Sequence, residues 1–380
     1  MKIEYLSESN PDYKCLEEYI SNGSFGSAAE QWLIDAQTEN KLGIENLKSQ
    51  SAELFSQEET GSEIEHLFSS KIAVPTKYDS LLQYSIVSAL MNKIKSSAEI
   101  LALNNQQVPC FTSLPTGEGN ASALKLPGSS KVFLLFDSHL FTFCHLFSKA
   151  FSLCLPISVN EDDNVKYSVE LAKLKSHIEN NNNQCVDRVQ DLLHCFCVNK
   201  RPVETKAYQA PEDYLPLINV LKDGMQLMIV GHEFGHLCSG HLDKELQFAV
   251  INSAIEDDLS DQHTKEYEAD FLGALLALQA LNSDGRDVVL SYTAVELFYS
   301  AMILCARYSR YTLGKKNKHF EEAESAAHPT FINRKHLIRH AIKNVEGIEK
   351  YRDAIDILGE FSDQCVDMLW MEIIKKCSSK

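Results

Sequence analysis

The segment Ile229-Val-Gly-His-Glu-Phe-Gly-His236 constrains this chain more than any other. A helix through it puts His232 and His236 one turn apart on one face and aims both rings at a common point. Neutral imidazole nitrogens bind zinc at about 2.0–2.1 Å, so the pair can supply two of its ligands. Glu233, beside the first histidine, is placed to act as general base toward water activated by such an ion. The residues leading in, Met225, Leu227, Met228, Ile229 and Val230, are apolar enough to bury the back of the helix. Gly235 leaves room for close approach at the site.

A second motif follows in the right order. Glu266-Tyr-Glu-Ala-Asp270 opens the apolar run Phe271 to Leu278, which has the composition of a buried helix. Catalytic zinc commonly takes three protein ligands and keeps one position open. Glu266 is the expected third ligand. Asp270, one turn on along the same face, is expected to accept a hydrogen bond from the far nitrogen of a zinc-bound histidine, which fixes its tautomer and raises its basicity. Glu268 points away from Glu266 on a helix, and the two cannot easily ligate together, so it is not expected to hold metal. His241 falls one residue short of the spacing at which a third histidine ligates in the longer zinc motif. It is read as a residue of the helix end or as one supporting a ligand from behind.

His232-Glu233-x-x-His236 followed by Glu266-x-x-Ala-Asp270 resembles the gluzincin zinc metallopeptidases. Further stretches resemble the HtpX-like peptidases of that group: Asn120-Ala-Ser-Ala123, the turn Pro127-Gly-Ser-Ser130 with the strand Lys131 to Phe136, and His328-Pro329 with Arg334 after it. The resemblance covers roughly residues 108–155 and 224–340. It implies a zincin-like core with Asn120, Ala121 and Ala123 along the substrate cleft, and with His328 as a catalytic residue. HtpX-like peptidases are often membrane-embedded, and here the chain departs from them. Its most apolar stretch, Lys131 to Val159, is broken by Asp137, His139, His145 and Lys149, short of the ~20 apolar residues a spanning helix needs. The start, Met1-Lys-Ile-Glu-Tyr-Leu-Ser-Glu, lacks the basic flank and apolar core of a signal peptide. A soluble, cytoplasmic chain akin to the phage-exclusion peptidase Lit and the ImmA/IrrE-type peptidases is expected.

Charge and cysteine usage agree with that setting. A net charge of −17 argues against nucleic-acid binding through phosphates, which needs clustered Lys and Arg. The 11 cysteines form no Cys-x-x-Cys pair, and Cys144, Cys154, Cys195, Cys197, Cys238 and Cys305 lie in apolar helical contexts, as reduced buried thiols do.

The expected fold is mostly α with a small β-sheet. Residues 1–105 read as a helical N-terminal region, with an amphipathic helix from Ser80 to Ala102. Residues 106–345 read as the peptidase core, with a small hairpin over Val108 to Phe136 and a packed helix from Ser138 to Leu155. Residues 156–223 read as a helical insertion that either gates a cleft or decorates the surface, and 346–380 as a C-terminal helix. The function expected is a metalloendopeptidase with one Zn2+ per chain, held by His232, His236 and Glu266, acting on a protein or peptide substrate. Glu233 would move the proton from water to the leaving amine. A donor for the developing oxyanion is also needed, with His328, then Tyr311, then Arg334 as candidates. The alternative is a regulatory protein of the ImmA/IrrE or phage-defence type that binds a partner and cleaves it rarely or never.

Overall fold

The computed structural model describes residues 2–22, 25, 28–54, 71–103, 108–159, 165–181, 184–241, 261–314 and 329–378. The fold is α+β, mostly helical with small sheets. It divides into two compact units. The first comprises Met1–Asn92, Asn105–Thr116 and Asn120–Ser138; the second comprises Lys93–Asn104, Gly117–Gly119 and His139–Lys380. This division differs from the one expected from the sequence. The small sheet groups with the N-terminal helices, and the C-terminal helix belongs to the unit that holds the zinc motif.

In the first unit β1 (Lys2–Tyr5) is followed by α1 (Pro11–Asn22) and α2 (Ala28–Leu54). Helix α1 starts where Pro11 presets the first turn and Asn10 Oδ1 accepts from the Asp12 amide at 2.9 Å. Its Tyr13, Leu16 and Ile20 recur at helical spacing and are buried. Strand β2 (Lys71–Val74) pairs in parallel with β1. Helix α3 (Leu81–Ile100) then leads to β3 (Cys110–Leu114), β4 (Ala121–Lys125) and β5 (Val132–Asp137). The hairpin expected here is present, because β4 runs antiparallel to β5 with Ala121 opposite Phe136. It is part of a three-stranded sheet of order β3-β5-β4, in which β3 runs parallel to β5. All six residues of the central β5 are buried, while β4 at the edge is half-exposed. Trp32, Tyr78, Leu114 and Phe133 close a core over α1.

The second unit is helical apart from the β6 (Ile157–Val159) and β7 (Val165–Tyr167) ribbon. Its helices are α4 (Ser138–Ser152), α5 (Leu171–Glu179), α6 (Cys185–Cys197), α7 (Leu215–Cys238), α8 (Asp261–Ser283), α9 (Val288–Leu313), α10 (Phe331–Ile342) and α11 (Arg352–Ser378). Helix α9 is capped by Asp287, whose carboxylate accepts from the Leu290 amide at 2.9 Å. It is central, packed by α6, α7, α8, α10 and α11. Among the described residues it, and not the Lys131–Val159 stretch expected to be the most apolar, is the one helix long and apolar enough to cross a membrane, and 78% of that window is buried within the protein. A helix apolar all round is what a fully surrounded core position requires.

The stretch 156–223 is built into this unit. Helix α6 buries Val186, Val189, Leu193 and Phe196, and Phe196 stacks on Phe143 of α4 with ring centroids 4.2 Å apart. The turn between α5 and α6 is held by Asn181, whose Oδ1 accepts from the Val186 amide at 2.8 Å and whose Nδ2 donates to Asp187 at 2.6 Å. All 11 cysteines are free thiols, most of them buried.

Candidate metal centre

Helices α7 and α8 approach closely because small residues line their seam. A Cβ on Gly235 would stand 2.6 Å from the Ala269 carbonyl oxygen, and one on Gly231 would stand 2.6 Å from that of Gly273. Neither contact is possible for a real side chain, so these two glycines set the helix separation. That separation lets Glu266 of α8 reach the two histidines of α7.

His232, His236 and Glu266 converge. Their nearest donor atoms lie 3.2 Å apart between the two Nε2 nitrogens, and 3.6 Å from each nitrogen to a Glu266 oxygen. Ligands placed tetrahedrally at about 2.0–2.1 Å from zinc are separated by about 3.3–3.4 Å, close to the spacing of the two nitrogens and of each nitrogen to its nearer Glu266 oxygen, Oε2 for His232 and Oε1 for His236. Two nitrogens and one carboxylate also make the donor set of a catalytic zinc site. The residues present fit the ion. Among the described residues this is the one His/Cys/Asp/Glu group close enough together to hold a metal.

Each histidine is held from behind. The Nδ1 of His232 lies 2.8 Å from Asp270 Oδ1. With the Nδ1 proton given to Asp270, His232 turns its Nε2 lone pair to the site. Asp270 is fully buried and is itself secured by three donors. Arg334 donates Nε to Oδ2 at 2.7 Å and Nη2 to Oδ1 at 2.6 Å, and Tyr299 of α9 donates its hydroxyl at 2.8 Å. Burial alone would raise the Asp270 carboxyl, but Arg334 and His232 overcome it and hold the group far below the usual carboxylate range. His236 has a different support. Its Nδ1 is 2.8 Å from Nδ1 of His241, whose Nε2 is 2.8 Å from Glu268 Oε2. Burial and the neighbouring His232 push the His236 imidazole down to about 3, which keeps it neutral and able to ligate near pH 7. Burial pushes the Glu233 carboxyl up to about 7, against the pull of His232. A general base is most effective when its affinity for a proton matches the working pH.

The other expected site residues fall in several places. Arg334 is at the centre, but its guanidinium clamps Asp270 behind His232, with Nη2 3.4 Å from His232 Nδ1. It supports a ligand and is not aimed at an oxyanion. Tyr311 lies elsewhere: it is 48% exposed, packs edge-on to Trp370 of α11, and borders a hollow formed with Arg307, Arg310 and Asp367. It is twelve residues along α9 from Tyr299, a rise of about 18 Å, which places it away from the candidate site. His328 lies outside the described residues. Asn120, Ala121 and Ala123 sit at and just before the β4 edge in the first unit, where the Asn120 carbonyl accepts from the Asp137 amide at 3.1 Å. Tyr299 was not anticipated from sequence; His241 was expected at the helix end or behind a ligand, but its link to Glu268 was not. Tyr299 carries no signal of its own in an apolar helix. The His241–Glu268 link does have one, the Gly240-His241 pair that ends the zinc helix.

No family model, curated protein or solved structure matches the chain. Its function is therefore argued from the chemistry of the site.

Proposed function

We propose that this chain is a zinc-dependent metallopeptidase of the gluzincin type, cytoplasmic and selective for a protein substrate. The supporting observation is the convergence of His232 Nε2, His236 Nε2 and the Glu266 carboxylate within 3.2–3.6 Å of one another, beside the buried carboxyl of Glu233, which is pushed up to about 7. His232, His236 and Glu266 would hold one Zn2+ per chain. When bound, zinc supplies a Lewis acid that polarises a carbonyl and lowers the pKa of water toward about 7.

The remaining steps belong to the protein. Glu233 accepts a proton from the attacking water, and its raised proton affinity then lets it return that proton to the leaving amine. Burial around Glu233, which is 4% exposed, keeps bulk water from competing for the proton. Asp270, fixed by Arg334 and Tyr299, keeps His232 in the tautomer that offers Nε2. An edge strand such as β4 can bind an extended chain by main-chain hydrogen bonds, and this is the role proposed for Asn120, Ala121 and Ala123.

The test is Glu233→Gln in the purified chain. The variant keeps zinc near one per chain and loses hydrolysis of the partner protein that wild type cleaves. A variant that still cleaves excludes Glu233 as the base, and wild type without zinc excludes the reading.

A further inference from the structure

We propose that His241 and Glu268 are positioning residues for His236, doing through an interposed imidazole what Asp270 does directly for His232. This rests on reading the site as a metal centre.

The observation begins with how α7 stops. Beyond Cys238 and Ser239, the Gly240 amide donates to the Leu237 carbonyl at 3.1 Å and the His241 amide donates to the His236 carbonyl at 3.1 Å. Gly240 has φ +67°, the left-handed conformation that this double-bonded helix stop requires. Such a stop brings the residue after the glycine back over the last turn, where it usually makes an apolar contact with the residue five positions earlier. Here those two residues are His241 and His236. Their rings lie 5.1 Å apart, and the contact is a hydrogen bond instead.

The proton order along the chain follows from its end. Glu268 is an acceptor, so His241 gives it the Nε2 proton, and His241 Nδ1 is left to accept from His236 Nδ1. His236 therefore turns its Nε2 lone pair toward His232 and Glu266, as a ligand must. The His241 and Glu268 side chains are 5% and 7% exposed, so neither can exchange this partner for bulk water. Helix α8 thus supplies three carboxylates at two-residue steps. Glu266 and Asp270 share the face toward the site, and Glu268 lies round the helix, where the extra imidazole spans the offset.

Zinc affinity by chelator competition and the visible d–d spectrum of the Co2+-loaded chain test this. His241→Phe keeps the ring volume and removes both hydrogen bonds; Glu268→Ala removes the far end and leaves the turn intact. Each is expected to weaken zinc binding by about 10–100-fold and to shift the cobalt bands. Glu268→Gln, which retains an acceptor, is expected to recover most of the loss. The double variant His241→Phe/Glu268→Ala should be no weaker than either single, because both break one chain, whereas Asp270→Asn should add to His241→Phe. If His241→Phe does not fold, the two Glu268 variants decide. Affinity within about twofold of wild type with an unchanged cobalt spectrum in the folded variants overturns the relay and leaves the metal centre standing. A wild type that takes up neither metal overturns both.

Discussion

Arg334 and Lys335 are consecutive residues of α10, both cationic and both buried, yet they serve two different networks. Lys335 donates to Ser300 at 2.7 Å, pairs with Asp363 and lies 3.4 Å from Glu296. Arg339, one turn further on, donates to Glu296 at 3.0 Å and to Asp363 at 2.9 Å. Two cations and two carboxylates from α9, α10 and α11 balance one another and stitch the three helices together. Arg334 instead meets Asp270, the Tyr299 ring, His232 and Glu266, and that network stays open in charge, with one guanidinium against two carboxylates. It ends on two imidazole nitrogens and a carboxylate that face one another across 3.2–3.6 Å. Nitrogen and oxygen atoms gathered at that spacing are the donor set that a cation would need. Buried charge alone therefore marks helix packing as readily as chemistry; convergence of possible ligand atoms marks the candidate site.

The largest effect expected is on the open network. His236→Ala should take zinc from about one per chain to almost none, since two ligands do not make a stable site. Elemental analysis that finds wild-type zinc in this variant breaks the comparison at once. Next comes the closed network. Lys335→Met leaves Glu296 and Asp363 short of a buried partner and should cost about 3–5 kcal/mol in denaturant unfolding, with zinc per folded chain unchanged. Zinc loss in Lys335→Met without loss of fold would show that the two networks are one.

A smaller and more discriminating effect is expected at Arg334. Arg334→Met frees Asp270 and should lower zinc affinity by about 10–100-fold, read by chelator competition. An Arg334→Met variant that loses stability alone would place Arg334 with Lys335. The smallest effect concerns pH. Burial works against ionisation of Asp363, but Lys335 and Arg339 hold its carboxyl below the usual range in the folded chain. The unfolded carboxyl titrates near 3.9, so its contribution is present above about pH 4 and is lost as pH falls through the lower folded value. In metal-free protein, Asp363→Asn should flatten the fall of stability below about pH 4. An unchanged acid slope would mean that Lys335 and Arg339 do not hold the Asp363 charge.

Much of the candidate site was legible in the residues because helical periodicity is local. Spacing alone puts His232 beside His236 and Glu266 beside Asp270, and the apolar runs on either side require both helices to be buried. The β4–β5 hairpin was legible for the same reason, since alternation and the Pro127-Gly128 turn are short-range signals. The role of Arg334 was not. As the third candidate for the oxyanion donor, after His328 and Tyr311, it needed a free guanidinium, and that group is engaged by Asp270. Tyr311 was a plausible phenol until the length of α9 put it about 18 Å from Tyr299 along the axis. The stretch 156–223 read as an insertion that gates a cleft or decorates the surface, but its α6 carries a stripe of apolar residues that packs into the core beside α9.

The sequence by itself determined the mostly helical class, the two zinc-motif helices, the likeness of their residues to ligands, and the reduced state of the thiols. These depend on neighbours within a turn or two, where backbone geometry leaves little choice. Only the tertiary structure decided which carboxylate stands behind which histidine, that three glycines and an alanine bring α7 and α8 close enough for Glu266 to meet both rings, and that one α10 cation serves the candidate site while the next serves the fold. Those outcomes depend on distances between segments far apart in the chain, which packing sets and no local pattern encodes.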